Sequence, residues 1–345
     1  MVTDAAPRRA YHVAVVGGGN FGTAIADIVA QHGNTCALWM RDAAQAHEVQ
    51  ATRENRRYLP GYRLHDALRV TSDAAAALNG VELVFVTVPS ESFRAVSRMI
   101  SPLLPPQCML VSGTKGIEWP GFHLMSAILE QECVGARVGA ISGPNLAEEI
   151  AAREITATVI ASPYQELNRA VQLCLHGQHF RVYDSQDHYG VQLAGALKNI
   201  YAIVCGMAAG LGVGQNTVGL LVTRALAEMS RFAVSLGANP LTFLGLAGVG
   251  DLLVTCTSPL SRNYQLGYRI ARGATLDAAM ESLGKLAEGV NTLRVVCAKA
   301  RESEVYMPIA GGLHRVLFDG VEVATVVAAL MASDQGVDVE FATSK

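Results

Sequence analysis

Lys198 is the residue whose surroundings point most directly to chemistry. It lies in the segment LAGALKNIY (193–201), which is otherwise apolar and has helical spacing. A buried ammonium group is costly unless it has a partner, so either this side chain reaches solvent from a helix end or it has a chemical role. Desolvation and a second cation nearby would lower its pKa. Such a lysine can donate a proton to the alkoxide that develops when a hydride adds to a ketone.

Lys115 and Asp251 are the residues that could act with Lys198. Lys115 follows a predicted strand, at the carboxyl edge where doubly wound sheets bind their ligands. Asp251 lies in the segment GVGDLLV and either caps a helix or balances the charge of a lysine. Histidine is the usual rival as proton donor, but we assign structural roles to His179 and His188, which flank the predicted domain boundary.

The sequence Ser261-Arg262-Asn263 could bind a small phosphate. A guanidinium fork beside a hydroxyl and an amide is a good donor set for that anion, and the alternative is an arginine of a surface loop. The segment SGPN (142–145) is a rigid turn that either lines the same site or reverses the chain.

A glycine-rich turn follows the first apolar segment. VAVV precedes GGGNFG and a helical pattern comes next, which is the context in which G-x-G-x-x-G binds a dinucleotide. Gly17 permits the tight turn, Gly19 lets the backbone approach a pyrophosphate, and Gly22 lets helix and strand touch. The helix N-terminus favours the anion. A turn without a ligand is the alternative, and the strand and helix on either side argue against it.

The end of the second predicted strand bears on the choice between NAD and NADP. An acidic residue there pairs with ribose hydroxyls in NAD enzymes, whereas here Arg41 comes first and Asp42 follows. Arg41 could clamp a 2′-phosphate, and Asp42 is either a surface charge or a helix N-cap. We therefore expect NADP(H) to be favoured, with NAD(H) also accepted.

The first half of the chain alternates apolar segments of strand length with helical patterns at 21–32 and 121–133. Several of the apolar segments are nearly continuous, as in parallel strands covered on both faces. This alternation predicts a doubly wound sheet. The predicted strands are residues 12–16, 35–40, 81–88, 108–112, 138–142, 157–161 and 180–183.

The character of the sequence changes after about residue 185. The segment 187–236 is rich in Ala and Leu and has no proline, and no convincing strand follows it. We therefore predict an α/β Rossmann-like dinucleotide-binding domain over residues 1–185 and an all-helical C-terminal substrate and catalytic domain over residues 186–345. The other predicted helices are residues 276–283, 290–300 and 310–318.

The composition excludes several classes of protein. Half of the 345 residues are hydrophobic and the formal net charge is −3 without a basic block, which argues against a nucleic-acid or membrane-surface partner. The longest apolar segment, 200–213, is shorter than the roughly 20 residues of a membrane span, so we expect no integral membrane segment. The N-terminus has no signal-peptide pattern. Seven scattered cysteines without a C-x-x-C pair indicate reduced thiols in a cytoplasmic protein.

Taken in order, these motifs resemble those of the bacterial-type NAD(P)-dependent glycerol-3-phosphate dehydrogenases. The resemblance runs from about residue 13 to about residue 290, and the lysine helix and the Ser-Arg-Asn block are its most specific parts. The matching blocks are Gly17-x-Gly-Asn-Phe-Gly22, Asn55-x-x-Tyr-Leu-Pro-Gly61, Lys115-Gly-Ile117, Ser142-Gly-Pro-Asn145, Gly195-Ala-Leu-Lys-Asn199, Gly248-x-Gly-Asp251, Ser261-Arg-Asn263 and Glu288-Gly289.

The resemblance implies reduction of dihydroxyacetone phosphate to sn-glycerol 3-phosphate, which supplies glycerophospholipid synthesis. Lys198 would be the general acid in reduction and the base in oxidation, with Lys115 polarising the carbonyl and Asp251 completing the catalytic group. Asn145 departs from the serine frequent in the family, a change that keeps a hydrogen-bonding group. The residues implied for the substrate site are Lys115, Gly143, Asn145, Lys198, Asp251, Ser261, Arg262 and Asn263.

The resemblance also implies a cofactor site and a homodimer. No metal is expected, because the two lysines supply the electrophilic role. The cofactor-side residues are Gly17, Gly19, Asn20, Phe21, Gly22, Arg41, Tyr58, Lys115, Ala147, Arg262, Leu286 and Glu288.

Two other functions fit part of the pattern. A β-hydroxyacid dehydrogenase or a ketopantoate-type reductase shares the architecture and often the lysine, but its substrate needs no phosphate anchor such as Arg262. A dinucleotide sensor would keep the pocket but would not need both Lys115 and Lys198.

Overall fold

The structure is a computed structural model that describes residues 9–284 and 287–332. The described residues form two compact units. The sheet unit comprises residues 9–114, 125–141 and 145–188, and the helical unit comprises the rest, including the short segments 115–124 and 142–144. The domain boundary at residue 185 stays a prediction.

Twelve strands occur in the described residues. Each of the seven strands predicted from the sequence is confirmed, with ends that differ by no more than a few residues. The strands are β1 His12–Val16, β2 Thr35–Trp39, β3 Glu54–Asn55, β4 Leu59–Arg63, β5 Arg69–Thr71, β6 Leu83–Val86, β7 Met109–Ser112, β8 Ile117–Glu118, β9 His123–Leu124, β10 Arg137–Ser142, β11 Thr156–Ala161 and β12 Phe180–Ser185.

One eight-stranded sheet, in the order β12-β11-β10-β7-β6-β1-β2-β5, is the centre of the sheet unit. β1 pairs in parallel with β2 and β6, and parallel pairing continues to β5 on one side and to β7 and β10 on the other. Val13 and Val15 of β1 pack in one hydrophobic cluster, and Ala14 and Val16 pack in another. Burial on both faces explains the continuous apolar segments. The edge strand β5 was missed because Val70 is its one buried residue.

Fifteen α-helices occur in the described residues, together with 3₁₀ turns at Ser101–Leu103 and Pro240–Leu244 and a π-helical turn at Leu246–Gly250. The helices are α1 Asn20–Gln31, α2 Ala43–Thr52, α3 Ala74–Leu78, α4 Ser90–Ile100, α5 Met125–Glu132, α6 Ala147–Ala151, α7 Gln165–Leu175, α8 His188–Gly210, α9 Gln215–Ser235, α10 Asp251–Thr257, α11 Arg262–Ala271, α12 Leu276–Ser282, α13 Glu288–Glu302, α14 Pro308–Phe318 and α15 Val323–Met331.

Two predicted helices differ from the structure. The segment 187–236 forms two helices, α8 and α9, because Gly212 takes a φ of 75° that an α-helix does not accommodate. The pattern at 121–133 becomes helical only from Met125, because the residues before it form the hairpin β8-β9.

Helix α8 is the core of the helical unit. Leu197, Ile200 and Tyr201 are fully buried in its main hydrophobic cluster. By length and composition α8 could cross a bilayer, but 83% of its most apolar window is buried inside the protein, as in a core helix. Beyond residue 185 the described chain contains helices and no strand, so the predicted fold class is confirmed.

Candidate active site

Three charged side chains meet in the helical unit, namely Lys115, Lys198 and Asp251. Lys115 Nζ donates to Asp251 Oδ2 at 2.7 Å, and Lys198 Nζ donates to the other carboxylate oxygen, Oδ1. Asp251 is 1% exposed and Lys198 is 6% exposed. Neither charge is well hydrated, so each depends on the other for compensation. The structure thus brings together three residues that lie far apart in the sequence.

The turn before α10 and the first turn of that helix position the carboxylate. Asp251 is the first residue of α10 and directly follows the π-helical turn Leu246–Gly250. Thr255, four residues later on the same helix face, donates through Oγ1 to the backbone oxygen of Asp251 and accepts from Lys198 Nζ, both at 2.6 Å. The sequence analysis missed Thr255, and its spacing of four from Asp251 was the available signal.

Burial lowers the pKa of the Lys198 ammonium group to about 8, because it penalises the charged form. The negative charge of Asp251 opposes this effect and the positive charge of Lys115 adds to it. Two ammonium groups against one carboxylate leave an excess of positive charge, which favours a negative charge that develops nearby. Lys198 therefore has the proton affinity expected of an acid–base group near neutral pH.

Glycines make room for the second contact of Lys115. Its Nζ donates to the backbone oxygen of Gly143 at 2.8 Å. Gly143 has a φ of 144°, a conformation that residues with a Cβ rarely adopt. On α8, a Cβ at Gly195 would lie 2.5 Å from Ser142 Oγ and 3.5 Å from Lys115 Cγ. Glycine at 195 thus lets Lys115 and Ser142 lie against α8.

The three residues Ser261, Arg262 and Asn263 have different environments. Ser261 is the N-cap of α11, and its Oγ accepts a backbone N–H of the first turn. Arg262 is the first helical residue and is exposed. The buried Asn263 donates to Asn199 Oδ1 and accepts from the N–H of Gly289, both at 3.0 Å. Arg262 is therefore the one of the three that extends into solvent. Asn199 ends the block Gly195-Ala-Leu-Lys-Asn199 but was not assigned to a site from the sequence.

The three motif glycines of the turn in the sheet unit have different surroundings. Gly17 has a φ of 119°, and a Cβ at Gly22 would lie 2.0 Å from Gly17 O, so the protein itself needs both glycines. Gly19 is different. It is the N-cap of α1, and a Cβ there would meet no atom within 4 Å among the described residues. The open space at this helix N-terminus fits an anion.

The family follows from comparison with known proteins. Residues 12–168 match the family NAD-dependent glycerol-3-phosphate dehydrogenase N-terminus, and residues 187–328 match the corresponding C-terminus family. The chain belongs to the NAD-dependent glycerol-3-phosphate dehydrogenase family. It is 55% identical over 329 residues to glycerol-3-phosphate dehydrogenase (NAD(P)+) of Azotobacter vinelandii, an alignment that covers 95% of this chain and 96% of the relative. The protein of that name from Ectopseudomonas mendocina is 56% identical over the same lengths.

A solved structure agrees with this assignment. The crystal structure of glycerol-3-phosphate dehydrogenase from Coxiella burnetii is 35% identical, superposes with a TM-score of 0.90, and is matched over 94% of this chain and 99% of that one. Membership of the glycerol-3-phosphate dehydrogenase family confirms the resemblance seen in the sequence, and it argues against the β-hydroxyacid and ketopantoate-type reductases.

Besides the three glycines, three of the expected cofactor-side residues lie at the glycine turn or just after β2, namely Asn20, Phe21 and Arg41. Asn20 Nδ2 donates to Glu148 Oε1 at 3.1 Å. Phe21 is half-buried beside Gly113. Arg41 is exposed and lies two residues after the end of β2, and Asp42 is the N-cap of α2, with its carboxylate accepting two backbone N–H groups. The N-cap interpretation of Asp42 is confirmed.

The other expected cofactor-side residues are spread over both units. Tyr58 lies between β3 and β4, with the guanidinium of Arg57 5.3 Å from its ring centre. Ala147 begins α6 and is buried, and Glu288 begins α13 in the helical unit. Leu286 lies outside the described residues.

Asn145 is a predicted substrate-site residue, and His188 was assigned a structural role. Asn145 Nδ2 donates to Thr158 Oγ1 at 2.9 Å, while its buried Oδ1 has no hydrogen-bond partner among the described residues. Such an atom calls for an explanation, and a ligand is one.

Burial lowers the pKa of His188 to about 4, so it is neutral near pH 7. The seven cysteines are all buried, and the described residues contain no cluster of three or more metal-ligating side chains.

Proposed function

We propose that this protein catalyses the reversible reduction of dihydroxyacetone phosphate to sn-glycerol 3-phosphate with a reduced nicotinamide dinucleotide. The observation that carries the proposal is the group of half-buried Lys115 and buried Asp251 and Lys198, in which an acid with a pKa of about 8 belongs to a cluster with an excess of positive charge. The names of the close relatives support the same reaction.

Lys198 is the proton donor in this proposal. The bound nicotinamide supplies a hydride to the carbonyl carbon of the substrate. Lys198 supplies the proton that the carbonyl oxygen takes up, and it accepts that proton in the reverse direction. Two N–H groups of its ammonium bond Asp251 and Thr255, and we assign the third to the substrate oxygen.

Lys115 and Asp251 prepare Lys198 for this role. Hydrogen bonds to Asp251 and Gly143 hold Lys115 in place, so its charge can stabilise the developing alkoxide without rearrangement. Asp251 raises the pKa of Lys198 against the effect of burial. Asp251 thereby keeps Lys198 protonated near neutral pH, where Lys115 and desolvation alone would favour its deprotonation.

Arg262 is the phosphate anchor in this proposal. It begins α11, so its guanidinium lies at the end of the helix where the backbone dipole also favours an anion. Ser261 fixes the start of that helix, and Asn263 ties it to Asn199 and Gly289. Substrate contacts from Gly143, Asn145, Ser261 and Asn263 stay predictions.

NADP(H) is the proposed preferred cofactor, with NAD(H) accepted. Gly17, Gly19 and Gly22 shape the pyrophosphate turn. The carboxylate of Asp42 is engaged in capping α2, which leaves the exposed Arg41 as the group at the end of β2 that can bind a 2′-phosphate. Contacts from Asn20, Phe21, Tyr58, Ala147 and Glu288 belong to the same proposal.

The proposal also covers the metabolic use of the product, the cellular location and the assembly of the protein. sn-Glycerol 3-phosphate is a substrate for the acylation reactions of glycerophospholipid synthesis, and we assign the protein to that supply in the cytoplasm. A homodimer is the assembly implied by the resemblance and stays a prediction.

Following the absorbance of reduced nicotinamide with dihydroxyacetone phosphate, using NADPH and NADH in parallel, tests the proposal. Oxidation of the nucleotide with formation of sn-glycerol 3-phosphate supports it, and the faster cofactor decides the role of Arg41. Nucleotide binding without turnover would instead support the sensor, and turnover of ketopantoate but not of dihydroxyacetone phosphate would support the related reductase.

A further inference from the structure

A buried asparagine outside the glycine motif holds the glycine-rich turn. Asn55 on β3 is 0% exposed, and its Nδ2 donates to Gly18 O at 3.0 Å and to Thr23 Oγ1 at 2.8 Å. The first acceptor is a carbonyl of the turn itself, and the second belongs to the first turn of α1. One amide group therefore ties the loop to the helix that it begins.

The position of Asn55 is itself fixed from several sides. Its Oδ1 accepts from Gln45 Nε2 at 3.2 Å, and its backbone oxygen accepts from the N–H of Tyr58, also at 3.2 Å. Asn55 also pairs with Leu59 across the hairpin β3-β4. Because both polar ends of the amide have partners, its orientation is fixed.

Side chains of Thr87 and Asn55 contact three consecutive carbonyl groups of the turn. Thr87 Oγ1 lies 3.2 Å from Val16 O and 3.0 Å from Gly17 O, and Asn55 binds the next carbonyl, Gly18 O. A trans peptide places its C=O and N–H on opposite sides. Holding Gly18 O on one side therefore directs the N–H of Gly19 to the other, at the residue where an added Cβ would meet no described atom.

From this geometry we infer that Asn55 is a positioning residue for the dinucleotide, because it sets the direction of the Gly19 N–H toward the pyrophosphate. The inference rests on the part of the proposed function that assigns dinucleotide binding to the sheet unit. It also gives a role to the Asn55-x-x-Tyr58-Leu-Pro-Gly61 block, which links the glycine turn to Tyr58 through a backbone hydrogen bond.

Asn55→Ala is the test variant, and Asn34→Ala is its matched control. Asn34 is also a buried asparagine of the sheet unit, 6% exposed. It accepts from the N–H of Tyr11 at 3.0 Å and donates to Val29 O at 3.2 Å, near the other end of α1. Both variants remove a buried amide that joins backbone segments, and only one of the two amides binds the glycine turn.

Three quantities separate positioning from stability. They are the Kd for NADPH and for NADH by fluorescence titration, the midpoint of thermal unfolding without ligand, and the split between nucleotide KM and kcat. For Asn55→Ala we expect a Kd and a nucleotide KM raised by roughly tenfold, with kcat changed far less. For Asn34→Ala we expect a comparable loss in the unfolding midpoint and an unchanged Kd.

Equal effects of the two variants on the Kd would overturn the inference, and so would an unchanged Kd in Asn55→Ala. If Asn55→Ala does not fold, Gln45→Ala removes the donor that holds Asn55 Oδ1 and should raise the Kd by a smaller factor, whereas no change would again overturn the inference. Failure of the wild-type protein to bind either nucleotide would overturn dinucleotide binding itself, a result distinct from any difference between variants.

Discussion

The glycine turn and the lysine group are built in opposite ways. The turn is a short stretch of backbone that requires glycine: a Cβ at Gly22 would lie 2.0 Å from Gly17 O, and a Cβ at Gly17 would lie 3.0 Å from the backbone of Thr87. The lysine group is assembled from residues 115, 198 and 251, joined by hydrogen bonds between side chains. The turn offers backbone N–H groups at a helix N-terminus, while the lysine group offers a proton and an excess charge.

This difference explains how each region responds to substitution. In the turn the requirement is for the absence of side chains, so adding one carbon is the most damaging change. In the lysine group the requirement is for balanced charge, so removing one partner alters the proton affinity of the others. The following predictions test that contrast.

Gly22→Ala should have the largest effect on nucleotide binding. The added Cβ would lie 2.0 Å from Gly17 O, so the turn must open, and we expect a loss of NADPH affinity of roughly a hundredfold or more together with a lower unfolding midpoint. Gly19→Ala is the matched variant, since its Cβ meets no described atom. We expect it to fold normally and still bind NADPH more weakly. Normal binding by Gly19→Ala would show that no ligand approaches this residue.

Opposite shifts in the pH dependence should follow from changing the two neighbours of Lys198. Reduction needs protonated Lys198, so the rate should fall as the pH rises through its pKa of about 8. Asp251→Asn removes the charge that raises this pKa, and the fall should move to lower pH. Lys115→Met removes a charge that lowers it, and the fall should move to higher pH. We also expect kcat to drop by roughly a hundredfold in each variant.

These shifts are measured in profiles of kcat against pH for dihydroxyacetone phosphate reduction. Shifts in the same direction, or none, would contradict the assignment of Lys198 as the group that titrates.

Arg262→Lys should have a moderate effect that is confined to binding of the substrate phosphate. The charge is kept but the fork that binds two phosphate oxygens is lost, so we expect KM for dihydroxyacetone phosphate to rise by roughly tenfold with little change in kcat. Arg272→Lys, at the exposed C-terminal end of the same helix, is the control and should leave KM unchanged. Equal KM values for the two variants would contradict the assignment of Arg262 to phosphate binding.

The smallest effect concerns stability and involves Glu228, which belongs to neither the glycine turn nor the lysine group. Glu228 is 2% exposed and accepts the N–H groups of Ile309 and Ala310 at 3.2 and 3.1 Å, and burial raises its pKa to about 8. Between about pH 4.5 and 8 the folded protein keeps this proton while the unfolded chain releases it, so the free energy of unfolding should decrease as the pH rises.

Thermal unfolding of Glu228→Gln beside the wild type measures this effect. The wild-type midpoint should fall by roughly a few degrees from pH 5 to pH 8, and the variant should show a smaller fall. Parallel curves would mean that another group is responsible.

The sequence predicted what local patterns determine. The strands that are buried on both faces have continuous apolar residues, and each of these was found. The edge strand β5 and the hairpin β3-β4 were missed, because short strands with polar faces have no such pattern. The break between α8 and α9 depends on the conformation of Gly212, which glycine permits but does not require.

The candidate site was predictable as a set of residues but not as an arrangement. Lys198 could be recognised because a lysine in an apolar helix needs an explanation. The sharing of one carboxylate between Lys115 and Lys198 could not be read from residues more than fifty positions apart, and Asp251 was compatible with either a cap or a charge partner. The contacts of Asn55 and Thr87 with the glycine turn depend on the same long-range packing.

Reduction of dihydroxyacetone phosphate by wild-type protein and by Lys198→Ala, with the NADPH Kd measured for both, tests the central claim most directly. We expect rapid oxidation of NADPH by the wild type, a kcat lower by roughly a thousandfold in the variant, and an unchanged Kd. A variant that keeps most of its activity would show that Lys198 is not the proton donor, and a wild type that binds NADPH without reducing dihydroxyacetone phosphate would contradict the proposed reaction.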